Sequence, residues 1–451
     1  MHPELAALIF ILFIIYLFWT DRKECDRPSN AIWIPLTWMF IAGSRNVGEW
    51  LNLAPPKSVN AYSEGSPVDA AAFFLIIAAG LFILFRRKID WKGVLTQNKW
   101  VWLYFLYCAM SIIWADYSFV SFKRLIKELG NVVMIMVILT EKHPYDAMGF
   151  ILRRLSFIWL PLSVLFIKYY PHLGRSYASY SGLPMYTGIS VQKNQLGAMC
   201  LLSIIYFSWK YLLSRKERFR LAERASINDL ILMGMAAWLL DKAQSATSLA
   251  CSVVAVSMFS VCCLEIIAKK TGRIVAIVMI TCFFGLFLEA TLGVKDIVIE
   301  LLGRNTSLTE RVPMWETLLG MTTNPVVGAG FQSFWMGERL EKIWQDLGVQ
   351  FTQAHNGYLE QYLNLGYIGV TFLGVILLSG LFKVRNQLGV DYPAAMLRLC
   401  FIITAVLYNY TEASFYGVNN IWLLTLFGII EISYQEKNSN QYGEFRSLSK
   451  E

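Results

Sequence analysis

Apolar residues in this chain fall in long blocks, at 5–20, 31–43, 68–85, 100–114, 122–140, 151–168, 194–213, 227–240, 248–268, 274–291, 357–382, 394–410 and 420–434. A hydrocarbon core about 30 Å thick takes roughly 20 residues of helix to cross, and most of these blocks approach that length. The pattern predicts an all-α polytopic membrane protein with about 12–13 transmembrane helices. Its polar intervals mark off N-terminal transmembrane helices over 1–291, a large loop over 292–356, C-terminal transmembrane helices over 357–434 and a tail over 435–451. Within the loop, "MWETLLGM" predicts a short helix and "TTNPVVGAGF" a run of turns. The block at 122–140 differs from the others, because Lys123, Arg124, Lys127 and Glu128 crowd its first turns.

Composition agrees with the pattern. The chain is 56% hydrophobic and 16% charged, with a mean hydropathy of +0.47. Soluble domains carry about 25% charged residues, so an ordinary soluble globule is excluded. No basic run precedes the first apolar block in "MHPELAA", and no small-residue cleavage site follows it, so it is expected to remain as the first helix.

Charge then orients the helices. "DRKECDR", "FRRKIDWK", "SRKERFRLAER", "KKTGR" and "KVRNQ" are short, basic and on one side, which the positive-inside rule makes the cytoplasm. The tail "EKNSNQYGEFRSLSKE" joins them. Segments 44–67, 169–193 and 292–356 therefore face outward. The net charge of +8 is read mainly as an orientation signal, and no nucleic-acid partner is expected. Orientation does not explain the basic residues on the outer side: Arg45, Lys57, Arg175, Lys193, Arg304, Arg311, Arg339 and Lys342, with Arg124 and Lys127 opening their helix. An anionic ligand accounts for them; the plainer account is solvation or contact with lipid headgroups.

Familiar catalytic motifs are missing. The chain has no surviving GxGxxG, P-loop, GxSxG or HExxH context, and no D-x-D. Its eight cysteines show neither CxxC nor Cys/His spacing, so neither a disulfide framework nor a metal site is expected, and no cofactor is implied. What remains is arginine and lysine, aromatic residues and a histidine at the outer boundary. That set suits a substrate with a diphosphate leaving group: guanidinium offers planar bidentate donors to phosphate oxygens, and a neutral histidine accepts a proton from an attacking hydroxyl. Of the four histidines, His2 is terminal, His143 falls on the cytoplasmic side and His172 lies in an outer loop. His355 precedes "NGYLEQYL", and is expected to share a helix face with Tyr358, Leu359 and Tyr362, with Glu360 and Asn364 on another. Gly366 and Gly369 are expected to permit close helix contact. The plainer account of His355 is a residue that caps this helix.

Taken in order, "RVPMWETLLGMTTNPVVGAGFQSFW" and "HNGYLEQYLNLGYIGV" resemble the signature of the O-antigen ligase/polymerase family of bacterial membrane proteins. The matching positions are Arg311, Trp315, Pro325, Gly328, Gly330, Phe334, His355, Asn356, Tyr358, Leu359, Gly366 and Gly369. Upstream, "VQKNQLGAM" resembles an earlier family element, "SATSLACSVVAV" a Ser/Thr-rich helix start, and "NYTEASF" a late helix carrying a glutamate, here Glu412. "IAGSRNVGEWL", "EGSPVD", "SIIWADYSFVSFKRLIKELGNVV" and "LPLSVLFIKYYPHLGRSY" resemble the subgroup with exopolysaccharide-type polymerases, so the likeness spans most of the chain.

The resemblance implies a GT-C-like, metal-independent, inverting glycosyltransferase in the bacterial inner membrane, with its active site facing the periplasm. Its donor would be an oligosaccharide on undecaprenyl diphosphate and its acceptor a glycan or lipid-linked glycan, among membrane lipids and other polysaccharide-assembly proteins. By the same resemblance Arg311 is a diphosphate ligand and His355 the acceptor-activating base. Lys193, Arg175, Arg124, Lys127 and Lys168 become further basic contacts, and Asn356, Tyr358 and Glu412 further substrate-binding positions. One element departs: the R-x10-G pattern of O-antigen polymerase loops fails, since with ten residues between, Arg311 leads to Thr322 and Arg175 to Tyr186. Polymerisation is favoured over ligation to a lipid A core. A lipid-linked glycan flippase is the alternative of another class, but transporters usually show internal repeats and midplane charges, and neither is evident in the sequence.

Overall fold

Local sequence sets many of the helix ends. Ser66, Asp90, Ser226, Ser245, Asp391 and Asn419 each accept a hydrogen bond from a backbone amide of the turn they open, which pairs donors that no helical carbonyl can reach. Pro67 and Pro144 stand in first turns, where a proline costs no hydrogen bond.

The computed structural model describes residues 1–21, 28–53, 66–177, 182–217, 226–264, 274–275, 311–321 and 324–432. Its helices are α1 (Pro3–Asp21), α2 (Trp33–Gly43), α3 (Val47–Trp50), α4 (Pro67–Arg86), α5 (Trp91–Gln97), α6 (Lys99–Met110), α7 (Ser118–Leu139), α8 (Pro144–Tyr169) and α9 (Pro171–Gly174). They continue as α10 (Lys193–Glu217), α11 (Ile227–Ala243), α12 (Ala246–Cys262), α13 (Arg311–Gly320), α14 (Gly337–Leu347), α15 (Gly357–Gln387), α16 (Tyr392–Tyr408) and α17 (Asn420–Ile429). One small hairpin pairs β1 (Arg175–Tyr177) with β2 (Pro184–Tyr186), antiparallel, with Arg175 opposite Tyr186.

The protein is an all-α polytopic membrane protein. Each apolar block except 274–291 coincides with a described helix; that block beyond Val275, loop residues 292–310, Lys57, Arg304 and the tail from 433 lie outside the described residues. Among the described helices, α1, α4, α8 and α15 are long and apolar enough to cross a membrane by length and composition. The apolar stretch of α8 is 78% buried and that of α1 only 11%, so α8 is central and α1 turns its leucines and isoleucines outward. Around α8, α1 packs on one side while α10 packs on α11 and α12; α4 packs on α7 and α16 on α17.

Charged contacts separate the two ends as the basic connections predict. At one end Asp21 pairs with Arg153 and Arg154 at 2.9 Å, and Asp229 with Lys210 at 2.9 Å, all buried or half-buried. Glu141 accepts from the Ser29 hydroxyl at 2.6 Å and pairs with Arg87, joining three connections assigned to the cytoplasm. At the other end Arg45 donates to the Leu173 carbonyl, and Arg124 to that of Gln332 at 2.6 Å. Connections assigned to one side therefore meet one another.

Glu141 lies in the turn between α7 and α8. Burial pushes its carboxyl up, but the Ser29 hydroxyl and amide and the Arg87 guanidinium outweigh that and hold it below the usual carboxylate range. A depressed folded-state pKa adds stability above the unfolded value of about 4 and loses it as pH falls through the folded value. Glu141→Gln should therefore lower thermal stability clearly at about pH 7 and much less at about pH 3. Equal losses at both would contradict this pairing.

The large loop carries its own small core. In α14, "GERLEKIWQDL" is mostly polar, yet Leu340 and Ile343 are buried against Met314 and Leu318 of α13, with Phe334, Trp335 and Leu363. The "MWETLLGM" helix is present as α13, whereas α14 was not anticipated from the sequence.

Candidate functional site

The loop core holds residues 351–356 against the membrane helices. Trp315 donates its indole N–H to the Ala354 carbonyl at 2.8 Å, and Glu360 accepts from the Ala354 amide at 3.0 Å and the Trp335 indole at 2.6 Å. His355 follows with φ +49°, a left-handed conformation uncommon for a residue with a side chain. The helix cap is Asn356, whose side-chain oxygen accepts from the Tyr358 and Leu359 amides at 3.0 Å each. His355 therefore lies ahead of α15 and does not share a face with Tyr358, Leu359 and Tyr362; the backbone turns it off the helix axis.

Gly366 carries a second correction. Its φ of +64° breaks α15, and the turn at 325–330 fits into the break. Tyr367 donates its amide to the Pro325 carbonyl at 2.9 Å, Ile368 to Val326 at 3.2 Å, and the Tyr107 hydroxyl donates to Leu365 at 2.8 Å. The loop thus supplies bonds that the interrupted helix cannot make for itself. Gly366 serves this intrachain seat instead of contact between two helices, and a Cβ at Gly369 would meet Leu365 of its own helix.

Glu412 is the junction of the site. "NYTEASF" is a turn that follows α16, not a helix, and it leaves Glu412 buried. The carboxylate accepts from Asn194 at 2.7 Å and Arg311 at 3.3 Å on Oε1, and pairs with His355 Nδ1 at 3.3 Å on Oε2. Arg311 also donates to the Thr411 carbonyl and, at 3.5 Å, to the His355 carbonyl. Three segments that are far apart in sequence therefore converge with side chains in fixed relation. A histidine whose Nδ1 faces a carboxylate keeps Nε2 as its proton acceptor, the arrangement of an oriented base. Arg311 holds positive charge next to it and remains partly exposed.

Other motif segments pack around this junction. Thr247, at the start of α12, bonds to Thr411, and a Cβ at Gly197 would meet Ser245 and Ser248. The Gly357 amide donates to the Asn409 carbonyl at 2.8 Å, and the Tyr358 hydroxyl donates to that of Val406 at 2.9 Å.

The remaining expected residues are dispersed or engaged in the fold. Arg124 binds the loop carbonyl already described, and Lys127 lies 4.1 Å from the centre of the Phe73 ring. Arg175 donates to the Ile167 carbonyl at 2.8 Å, and Lys168 is exposed beside Trp238. Lys193 is half-buried at the start of α10, one residue from Asn194. Asn356 and Tyr358 spend their side-chain hydrogen bonds on the helix start and on α16. Glu412 is a partner of the cationic residues, a chemistry opposed to that of a diphosphate ligand. Asn194 was visible only as part of a motif, and Glu360 only as a polar helix position.

A cavity of about 290 Å³ adjoins Glu412, bounded by α10, the end of α2, residues 352–353 and the segment 413–421. Among the described residues no group of three or more His, Cys, Asp and Glu side chains is arranged to hold a metal ion.

These features define a polytopic helical membrane protein with an Arg–Glu–His cluster centred on the buried Glu412, where a large loop meets the bundle. Residues 230–374, from α11 into α15, match the family model described as O-antigen ligase, and this segment includes Arg311 and His355. Glu412 and Asn194 lie outside that match. The chain is also 23% identical over 315 residues to the exopolysaccharide production protein ExoQ of Rhizobium meliloti (strain 1021), covering 66% of this chain and 69% of that protein.

Proposed function

We propose that this protein transfers a glycan from undecaprenyl diphosphate to a sugar hydroxyl at the periplasmic face of the bacterial inner membrane, extending a repeating exopolysaccharide or O-antigen chain. The observation that carries the reading is the convergence of Arg311 and His355 on Glu412. In this reaction the acceptor oxygen bonds to the anomeric carbon of the donor. The carbon–oxygen bond to the diphosphate breaks, and its electron pair leaves on the diphosphate oxygen. The hydroxyl proton passes to the His355–Glu412 pair, and Arg311 stabilises the charge developing on the leaving group. A single displacement inverts the anomeric configuration, and Arg311 supplies charge that a metal supplies in other transferases.

The likeness to an exopolysaccharide production protein supports polymerisation over ligation. Deletion of the gene, with analysis of the accumulated glycan, tests it. Single repeats on the lipid carrier at the periplasmic face are expected. Long unattached chains would overturn polymerisation in favour of ligation, and carrier-linked units held only on the cytoplasmic side would overturn transfer in favour of flipping.

A further inference from the structure

The cavity beside Glu412 differs in chemistry from the cluster it adjoins. Its lining includes the amides of Asn194, Gln195, Asn419 and Asn420, with Ser414 and Tyr416. Glu412 is the one residue charged at neutral pH among the described lining residues; neither Arg311 nor His355 lines it. The carboxylate thus separates a cationic compartment from a neutral, hydrogen-bonding one.

We infer that this cavity is the acceptor subsite and takes an uncharged, hydroxyl-bearing sugar ring, while the diphosphate binds on the Arg311 side of Glu412. Its assignment to the acceptor rests on the proposed transfer reaction; its selectivity for a neutral sugar rests on the lining. A diphosphate or a sugar acid would enter a space whose described lining offers no cation and would meet the charge of Glu412. Amides and hydroxyls offer both donors and acceptors, which match sugar hydroxyls. Asn420 is buried, donates through Nδ2 to the Met39 carbonyl at 3.0 Å, and among the described residues has no hydrogen-bond partner for Oδ1. Buried acceptors are seldom left so. The volume of about 290 Å³ is at the low end for small-molecule sites, with room for about one or two sugar rings, the end of an acceptor and not a whole repeat. Asn420 is then a specificity-determining residue, and Ala198, also in the lining, is a place to narrow the space.

The full chain in lipid nanodiscs can be probed by saturation-transfer NMR with methyl β-D-glucopyranoside, methyl β-D-galactopyranoside and methyl β-D-glucuronopyranoside. The neutral glycosides should show transfer and the glucuronide little. Asn420→Ala and Ala198→Leu should each weaken neutral-glycoside binding by about fivefold or more, the loss of one net hydrogen bond or of the space for the ring. Ala198→Leu keeps the test decisive if Asn420→Ala does not fold, and thermal unfolding identifies that case. Equal binding by a folded Asn420→Ala or Ala198→Leu, or glucuronide binding as strong as glucoside binding, would each overturn the subsite. These readouts need no turnover, so carrier-linked units held only on the cytoplasmic side in a deletion strain would sink the transfer reading while leaving the sugar selectivity standing.

Discussion

Arg311→Ala should abolish polymer formation while the protein still inserts in the membrane. The guanidinium donates to the Thr411 and His355 carbonyls and pairs with Glu412, so it both carries charge and ties the large loop to the turn after α16. Loss of one preorganised charge-stabilising group costs roughly 10²–10³-fold in rate, enough to remove detectable polymer from cells. His355→Ala should do the same by removing the proposed proton acceptor, whose Nδ1 faces Glu412. Arg311→Lys is a sharper control: an ammonium keeps the charge but cannot serve several acceptors in one plane, so it should restore little. The measurement is polymer length and amount in a complemented deletion strain, with membrane insertion followed by immunoblot. Normal polymer from either alanine variant would refute the assignment.

Gly366→Ala should prevent the protein from folding to its normal level. Two costs coincide there. The residue has φ +64°, which a side chain disfavours, and a Cβ would lie 2.2 Å from the Val326 carbonyl oxygen. That oxygen accepts the Ile368 amide, so it cannot retreat without leaving donors unpaired beside apolar surroundings. Strain and lost hydrogen bonds together cost about 3 kcal/mol or more, a large part of a domain's net stability. Gly374→Ala is the control, because no described residue outside its own turn of helix lies within 4 Å of a Cβ there. Detergent-solubilised protein should elute as a folded species for Gly374→Ala and be depleted or aggregated for Gly366→Ala. Equal yield and thermal stability of the two would contradict the seat described for the 325–330 turn.

Gly366 also shows how far local pattern extends. Within "LGYIGV" a glycine pair in an apolar helix has the form of a helix-packing motif, and nothing nearby announces a break. The break depends on the Pro325–Gly330 turn, about 40 positions upstream, entering the helix. α14 escaped for the opposite reason: in "GERLEKIWQDL" the apolar residues are few, and only burial against α13 shows which side is inside. His355 was legible as a candidate through its loop and its neighbours. Its placement off the helix followed from φ +49° and the Asn356 cap, both settled by backbone geometry.

By itself the amino-acid sequence determined the apolar helices, the separation of the two ends by charge, and Arg311 and His355 as the residues to examine. These are legible because crossing hydrocarbon demands an unbroken apolar length, and basic connections bias one side, conditions met by neighbouring residues. Only the tertiary structure decided that Glu412 is shared by Arg311, His355 and Asn194, and that a neutral cavity opens beside it. Asn194 and Glu412 are 218 positions apart, and their contact exists only once α10 and the turn after α16 are packed at one end of the bundle. A carboxylate acquires its role from the donors around it, and packing supplies those donors.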